Sequence, residues 1–142
     1  MRSAAPSRIP FMLVASTTLA EHHRRCDALF AAARAAATAN DWALLVERIG
    51  ALREAVLAHF RYEEERVFPL YEETSGEEGA TEHLSAQHDD MRAALWFLAT
   101  QSPEREARRY CAELETLQAA FDAHAAEEES RMYPVFERVL KR

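Results

Sequence analysis

A passage of this chain occurs twice, and the duplication limits the folds that the chain can adopt. The segment from His59 to Pro69 and the segment from His124 to Pro134 both begin His-x-x-x-Glu and end with an aromatic residue followed by proline. The two segments lie 65 residues apart, and the same offset relates His23 to His88. Each half therefore contributes two histidines and one glutamate. Two similar halves of this kind predict one metal site built from both.

The composition favours a single all-α domain. The chain has 142 residues, with three glycines, five prolines and many strong helix formers. The formal net charge is −7, and acidic and basic residues are interspersed, which argues against nucleic-acid binding. The two cysteines form no Cys-x-x-Cys pair and are expected to be reduced thiols. We therefore expect a cytoplasmic protein whose protein partner, if it has one, the sequence does not identify.

The N-terminal residues carry a short apolar run from Ile9 to Ala15. The run is too short to span a membrane, and Pro10 interrupts it, which disfavours a signal peptide. We expect residues 1–15 to form an extended N-terminal arm and residues 16–142 to form the bundle, with no membrane contact.

Apolar residues recur at three- and four-residue steps in four segments, as on one face of a helix. The first is expected over residues 16–38, the second starts at a cap on Asp41, and the third covers residues 81–100. The fourth is expected to start with Pro103 at its first helical position. Each proline of the duplicated passage should end or kink its helix. Short loops predict an antiparallel up-down-up-down four-helix bundle made of two similar hairpins.

The duplicated histidines and glutamates have the chemistry of a dinuclear metal site. A histidine and a glutamate four residues apart lie on one helix face, and a glutamate among leucines is costly unless it is paired or bound to metal. Imidazole and carboxylate together favour iron, manganese or zinc over magnesium or calcium. Six ligands exceed the four of one zinc ion and suit two ions, bridged by the glutamates and a solvent-derived oxo or hydroxo group. The candidate ligands are His23, His59, Glu63, His88, His124 and Glu128.

Other polar residues near the motif are less suited to metal binding. His22 lies about 100° around the helix from His23, so it replaces or joins His23 only if the helix rotates. His83 is five residues before His88 and is expected at the surface. Cys26 is expected to be a core thiol, although it lies one turn from His23. Two pairs of glutamates lie beside the motif, Glu64 with Glu65 and Glu127 with Glu129. They are expected to be solvated, although either pair could supply an extra oxygen ligand.

The combined pattern resembles the hemerythrin-like, or HHE cation-binding, domain from about residue 15 to residue 140. The resemblance lies in His-Arg-Arg-Cys-Asp at 23–27, His-Phe at 59–60 with Val-Phe-Pro at 67–69, His-Asp-Asp-Met-Arg at 88–92, and Tyr-Pro at 133–134. It implies an antiparallel four-helix bundle that holds a non-haem di-iron centre. By resemblance, Glu63 and Glu128 bridge the two irons, and the terminal ligands are His23, His59, His88 and His124.

The chain departs from the oxygen-carrying members of that family. Those members have His-x-x-x-His on the third helix, whereas the positions four before and four after His88 are Leu84 and Arg92. They also place an aspartate five residues after the last histidine, where this chain has Glu129. Both ions would then have an open position, which argues against simple reversible oxygen carriage. The ligand set is more similar to the di-iron domains of bacterial iron–sulfur repair proteins and of an iron-sensing F-box subunit, and we expect a stand-alone domain.

These observations predict a non-haem di-iron protein that binds or senses dioxygen, nitric oxide or peroxide, and a binding function rather than an enzymatic one. One alternative is an iron donor that repairs damaged iron–sulfur centres, and another is a metal-free structural bundle. Zinc or manganese could substitute for iron. A ferritin-type site is disfavoured because it needs Glu-x-x-His, and no histidine of this chain has a glutamate three residues before it.

Overall fold

The protein is a four-helix bundle in the part of the chain that the structure describes. A computed structural model covers the backbone of residues 8–140 and the side chains of residues 17–138, and within these residues it contains no β-strand. The second of the four helical segments is built from three consecutive elements, so that the full order is α1 (Arg8–Thr38), α2 (Trp42–Tyr62), a π turn (Glu63–Val67), α3 (Phe68–Ser75), α4 (Glu82–Thr100) and α5 (Ala107–Leu140).

Local capping explains two of the helix boundaries. The side chain of Asp41 accepts a hydrogen bond from the Leu44 amide at 3.2 Å, which caps the start of α2 as its sequence predicts. Gly76 adopts a left-handed conformation with φ of 74° and ends α3, because a residue without Cβ reaches this region at little cost. The connection between α3 and α4 therefore begins at this glycine.

The prediction of an extended arm is wrong for residues 8–15. Helix α1 begins at Arg8, and Pro10 lies in its first turn, where the missing amide proton has no acceptor inside the helix. The remainder of the predicted arm, residues 1–7, lies outside the described residues. Among the helices of residues 8–140, none combines the length and the apolarity that crossing a bilayer requires.

The prolines act differently from one another. The regular part of the second segment ends at Tyr62, before Pro69, and Pro69 then occupies the first turn of α3. Pro134 lies inside α5, which continues through it to Leu140, so this proline does not end its helix. The prediction for Pro103 is also wrong, because turns and bends cover residues 101–106 and α5 begins at Ala107.

Two apolar clusters fill the interior, and a polar layer lies between them. Helix α1 packs against α2 and α5, and α4 packs against the same two helices. The larger cluster includes Phe30, Phe60 and Phe121, and the smaller includes Leu19 and Phe136. Helices α1 and α4 pass through the smaller cluster before the larger, whereas the second segment and α5 pass through the larger first. In all four segments, the predicted metal ligands lie between the two clusters.

Candidate metal centre

The structure brings all six predicted ligands into the polar layer. They lie on α1, α2, the π turn, α4 and α5, so the site exists only when the whole bundle is assembled. Each is buried: the exposed fractions are 6% for His23, 1% for His59, 2% for His124 and 0% for the others, which are Glu63, His88 and Glu128. Burial of this many ionisable groups in one layer is costly unless they bind one another or a cation.

Glu63 lies at the centre of the layer. Its Oε1 is 3.1 Å from His59 Nε2, 3.1 Å from His88 Nε2 and 3.5 Å from His124 Nε2. The Nε2 atoms of His88 and His124 are themselves 3.0 Å apart. Ligand atoms that each lie about 2.1 Å from one metal ion are separated from one another by about 3.0–3.4 Å. The spacing around Glu63 is therefore that of a coordination shell.

Glu128 holds the corresponding place in the second half of the duplication. Its Oε1 is 3.3 Å from His124 Nε2 and 3.5 Å from His23 Nε2. The six residues form two groups in which all ligand atoms lie within 4.8 Å of one another, and both groups contain Glu63. One group is His23, His59, Glu63 and Glu128, and the other is Glu63, His88 and His124. The two groups share the carboxylate of Glu63.

Unsatisfied polar atoms show that these residues fit a cation. Glu63 Oε2, both carboxylate oxygens of Glu128, and the Nε2 atoms of His23 and His59 are buried without a hydrogen-bond partner among the described residues. The short contacts of Glu128 and of the two Nε2 atoms are close enough for attraction but have the wrong angles for hydrogen bonds. Each buried polar atom without a partner costs about 1–3 kcal/mol. Metal ions at the two groups would satisfy these atoms, and the imidazole–carboxylate donor set suits iron, manganese or zinc.

Two glutamates that the sequence places in solvated positions contact the ligand histidines. His88 Nδ1 donates a hydrogen bond to Glu64 Oε2 at 2.6 Å, and His23 Nδ1 donates to Glu129 Oε1 at 3.2 Å. A carboxylate on Nδ1 fixes the ring and leaves Nε2 free to bind metal. The signal was present in the sequence, because Glu64 and Glu129 are also 65 residues apart. Arg92 holds Glu64 in turn, with Nη2 at 2.8 Å from Oε1.

The other two ligand histidines also have partners at Nδ1. His124 Nδ1 donates to the Gln87 amide oxygen at 2.7 Å, and His59 Nδ1 lies 2.9 Å from His22 Nδ1. His22 therefore joins the site as an outer partner, and His23 occupies the ligand layer. Sequence reasoning did not find Gln87, although Gln87 aligns with His22 at the same offset of 65.

Burial and the neighbouring side chains shift the pKa of Glu63 and of His124. Burial opposes ionisation of Glu63, but the imidazoles of His124, His59 and His88 around it outweigh this effect and hold the pKa of Glu63 well below its ordinary value. Burial lowers the pKa of His124, although Glu63 opposes this effect. A carboxylate and a neutral imidazole are the forms that bind metal, so the lowered pKa of both groups favours metal binding.

The remaining predictions concern residues outside the ligand layer. The His83 side chain is 45% exposed and contacts Glu127 and Arg131 on the surface, as predicted. Cys26 is 1% exposed in the larger apolar cluster, and burial raises the pKa of its thiol to about 12. Both residues are therefore accounted for without metal binding.

Comparison with known proteins agrees with this geometry. The family model described as the hemerythrin HHE cation binding domain matches residues 14–138, which include all six residues of the layer. Comparisons with curated proteins and with solved structures found no match. A match over most of the chain, together with buried histidine and glutamate groups able to hold metal, shows that the chain belongs to the hemerythrin HHE cation-binding family.

Proposed function

We propose that the protein holds two iron ions in a non-haem centre and that this centre binds or senses dioxygen, nitric oxide or peroxide. Glu63, which belongs to both ligand groups, and Glu128, which also lies 3.3 Å from His124, would hold both ions, and His23, His59, His88 and His124 would each bind one ion. The observation that carries it is the presence of two ligand groups, related by an internal duplication, in one buried layer. Zinc or manganese would fit the same donor atoms.

Bound iron would supply electrons and open coordination positions for the small ligand. The protein supplies the surroundings. Four imidazole Nε2 atoms face inward because their Nδ1 atoms have outer partners, and the two glutamates offset the positive charge of the ions. The apolar clusters on either side of the layer exclude bulk water. Such a site favours binding of a small uncharged ligand over large substrates.

We also infer the direction of the helices in the bundle. Successive helical segments pass through the two apolar clusters in opposite order, and α1 and α2 are joined by only three residues. Both facts favour an antiparallel bundle of two similar hairpins. The two free cysteines are compatible with the cytoplasm as its compartment.

Iron donation to damaged iron–sulfur centres is the main alternative. It uses the same ligands, so only the ease of iron release separates it from sensing. Iron that passes readily to a metal-free cluster protein would favour donation, and iron that stays bound would favour sensing. A metal-free structural bundle is disfavoured by the buried ligand atoms without hydrogen-bond partners among the described residues.

The first experiment is metal analysis with an absorption spectrum, on full-length protein purified without oxygen and then exposed to air. We expect about two irons per chain and new near-ultraviolet bands after oxidation. A chain that contains no iron and takes up none on reconstitution would overturn the proposal. Zinc without iron would support the ligand assignment and remove the redox function.

Substitution of the bridging residues tests the ligand assignment. Glu63→Ala and Glu128→Ala should each strongly lower iron content while circular dichroism still shows a helical protein. If both variants keep the full iron content, neither glutamate bridges the ions. Glu65→Ala is a matched control, because Glu65 is an exposed glutamate on the same π turn.

A further inference from the structure

The two halves of the centre repeat the ligands but not the residues that hold them. We define the first half-site as His23 and His59, and the second half-site as His88 and His124. In each half-site, one histidine has a glutamate at Nδ1 and the other has a neutral side chain there. The outer hydrogen bonds therefore follow the duplication, and the two half-sites can be compared atom by atom.

The glutamate of the second half-site is fixed more firmly. Glu64 is 31% exposed and accepts from His88 at 2.6 Å, whereas Glu129 is 48% exposed and accepts from His23 at 3.2 Å. Arg92 holds Glu64 and also contacts Asp89 Oδ1 at 3.1 Å. Within residues 17–138, Glu129 makes no hydrogen bond apart from the one with His23.

Glu64 is held more firmly than Glu129 because the two halves differ at one aligned position. Sixty-five residues before Arg92 stands Asp27, which carries a negative charge and cannot donate a hydrogen bond to a glutamate. The first half-site therefore has no guanidinium equivalent to that of Arg92 at the aligned position. Among residues 17–138, its outer carboxylate is held by His23 alone and is half exposed.

The neutral partners, Gln87 at His124 and His22 at His59, also favour metal binding at the second half-site. The Gln87 amide oxygen can only accept, so His124 must carry its proton on Nδ1 and keeps Nε2 free for metal. His22 can either donate or accept through Nδ1, so it does not determine which nitrogen of His59 carries the proton. One of the two arrangements places the proton on His59 Nε2, where it blocks metal binding. The ring of His59 is consequently less prepared for an ion than the ring of His124.

Access to the centre does not distinguish the halves. A cavity of about 280 Å³ borders the first half-site, with His22, Cys26 and His59 in its wall. A cavity of about 230 Å³ borders the second, and its wall includes Gln87, Met91 and His124, the aligned residues. The number of ligands does not distinguish the half-sites either, although one group has four residues and the other three. Glu128 Oε1 is already 3.3 Å from His124 Nε2, so a small rotation lets both half-sites share it.

We propose that the two metal positions are unequal: the second half-site binds its ion first and tightly, and the first half-site holds a labile ion. His22, Gln87, Glu64, Arg92 and Glu129 are the positioning residues that produce this difference. The inference rests on the dinuclear centre of the proposed function and adds to it which ion exchanges.

The test is a titration of metal-free, full-length protein with Co²⁺ in the absence of oxygen, followed by visible absorption and by competition with a chelator. We expect two binding events whose dissociation constants differ by about tenfold or more, the effect typical of outer partners of metal ligands. His59→Ala should remove the weaker event and His124→Ala the tighter one. Zn²⁺ titration by calorimetry provides a second measurement.

Exchange of the outer residues between the halves makes the test specific. His22→Gln copies Gln87 and should tighten the weaker event, whereas Gln87→His should weaken the tighter event, each by about tenfold. Arg92→Ala should also weaken the tighter event, and Arg108→Ala, at an exposed arginine near the start of α5, is its matched control. A role of these residues in folding alone would change both events equally.

The outcomes separate the inference from the proposed function. Two events of equal affinity in the native chain would overturn the inference and leave the dinuclear centre intact. Exchange variants that fold and leave both constants unchanged would do the same. A chain that binds no Co²⁺ and no Zn²⁺, or one ion only, would overturn the dinuclear centre itself and the inference with it.

Discussion

Replacement of Glu128 by methionine should stabilise the metal-free protein and abolish its stabilisation by metal. Glu128 is fully buried, and both of its carboxylate oxygens lack a hydrogen-bond partner in the described part of the chain. Methionine has a similar length, no strongly polar atom and enough flexibility to fill the space. Removal of the unsatisfied carboxyl should therefore raise the free energy of unfolding of the metal-free chain by about 1–3 kcal/mol.

The same substitution should reverse the order of stability once metal is present. Two ions that bind only the folded state, each at one hundred times its dissociation constant, add about 5.4 kcal/mol to the native chain, which is more than the gain of the variant without metal. The variant lacks a bridging ligand and should gain much less. Urea unfolding followed by circular dichroism, with a chelator and then with excess Zn²⁺, measures both differences. We expect the variant to be the more stable protein with chelator and the less stable one with Zn²⁺.

Glu63→Met is the matched control because Glu63 occupies the aligned position with different contacts. Its Oε1 lies within 3.5 Å of three histidine Nε2 atoms, and those imidazoles would lose the carboxylate that faces them. This variant should therefore gain less stability than Glu128→Met without metal, or should lose stability. If Glu128→Met destabilises the metal-free chain while Glu63→Met stabilises it, the assignment of the unsatisfied carboxylate is wrong.

Three further predictions concern residues outside the ligand layer, namely Cys26, His83 and Glu72. Burial raises the pKa of Cys26 to about 12, so its thiol should react with alkylating reagents at pH 8 only after unfolding, and prompt modification detected by mass spectrometry would contradict its buried position. His83→Ala should leave metal content unchanged, since His83 is on the surface, and a loss would show that α4 is rotated from its assigned position. Hydrogen bonds from the Thr81 side chain and backbone lower the pKa of Glu72, so their stabilisation is present above pH about 4.5 and is lost as the pH falls through the lower, folded-state pKa. Glu72→Gln should therefore reduce the fall of the urea midpoint in acid, and an unchanged acid profile would exclude this contribution.

The helices and the ligand layer followed from periodicity and spacing. Steps of three and four residues placed His23 between Leu19 and Cys26, and His88 between Leu84 and Met91, and the structure places both histidines between the two apolar clusters. The family assignment and the all-helical fold are confirmed. That these residues bind iron stays a prediction.

The outer hydrogen bonds were harder to predict because charge at the edge of a helix is usually solvated. Glu64 and Glu129 each lie one residue beyond a ligand, about 100° around the helix from it, and this position alone indicates the surface. Their contact with histidines depends on how neighbouring helices pack, which periodicity does not report. The duplication did contain a signal, since a glutamate stands at both aligned positions.

Helix α1 begins earlier than the sequence predicts, because the effect of a proline depends on its position in a helix. Pro10 interrupts an apolar run that was predicted to be part of an extended arm, yet a proline in the first turn of a helix sacrifices no hydrogen bond. Proline therefore breaks a helix when it lies in the interior and is tolerated when it lies in the first turn.

The π turn shows why two nearly identical motifs give unequal surroundings. It covers residues 63–67, with the Phe68 amide donating to the Glu63 carbonyl, whereas the aligned residues 128–132 stay within the regular helix α5. Proline alone does not cause it, because both passages contain a proline at the aligned position. A π turn changes the direction of the residues that follow its first position, and the first of these is Glu64, the outer partner that contacts His88 at the shorter distance. The backbone irregularity therefore falls on the half-site that the hydrogen bonds fix more firmly, and an ion bound there should be the one that the protein retains.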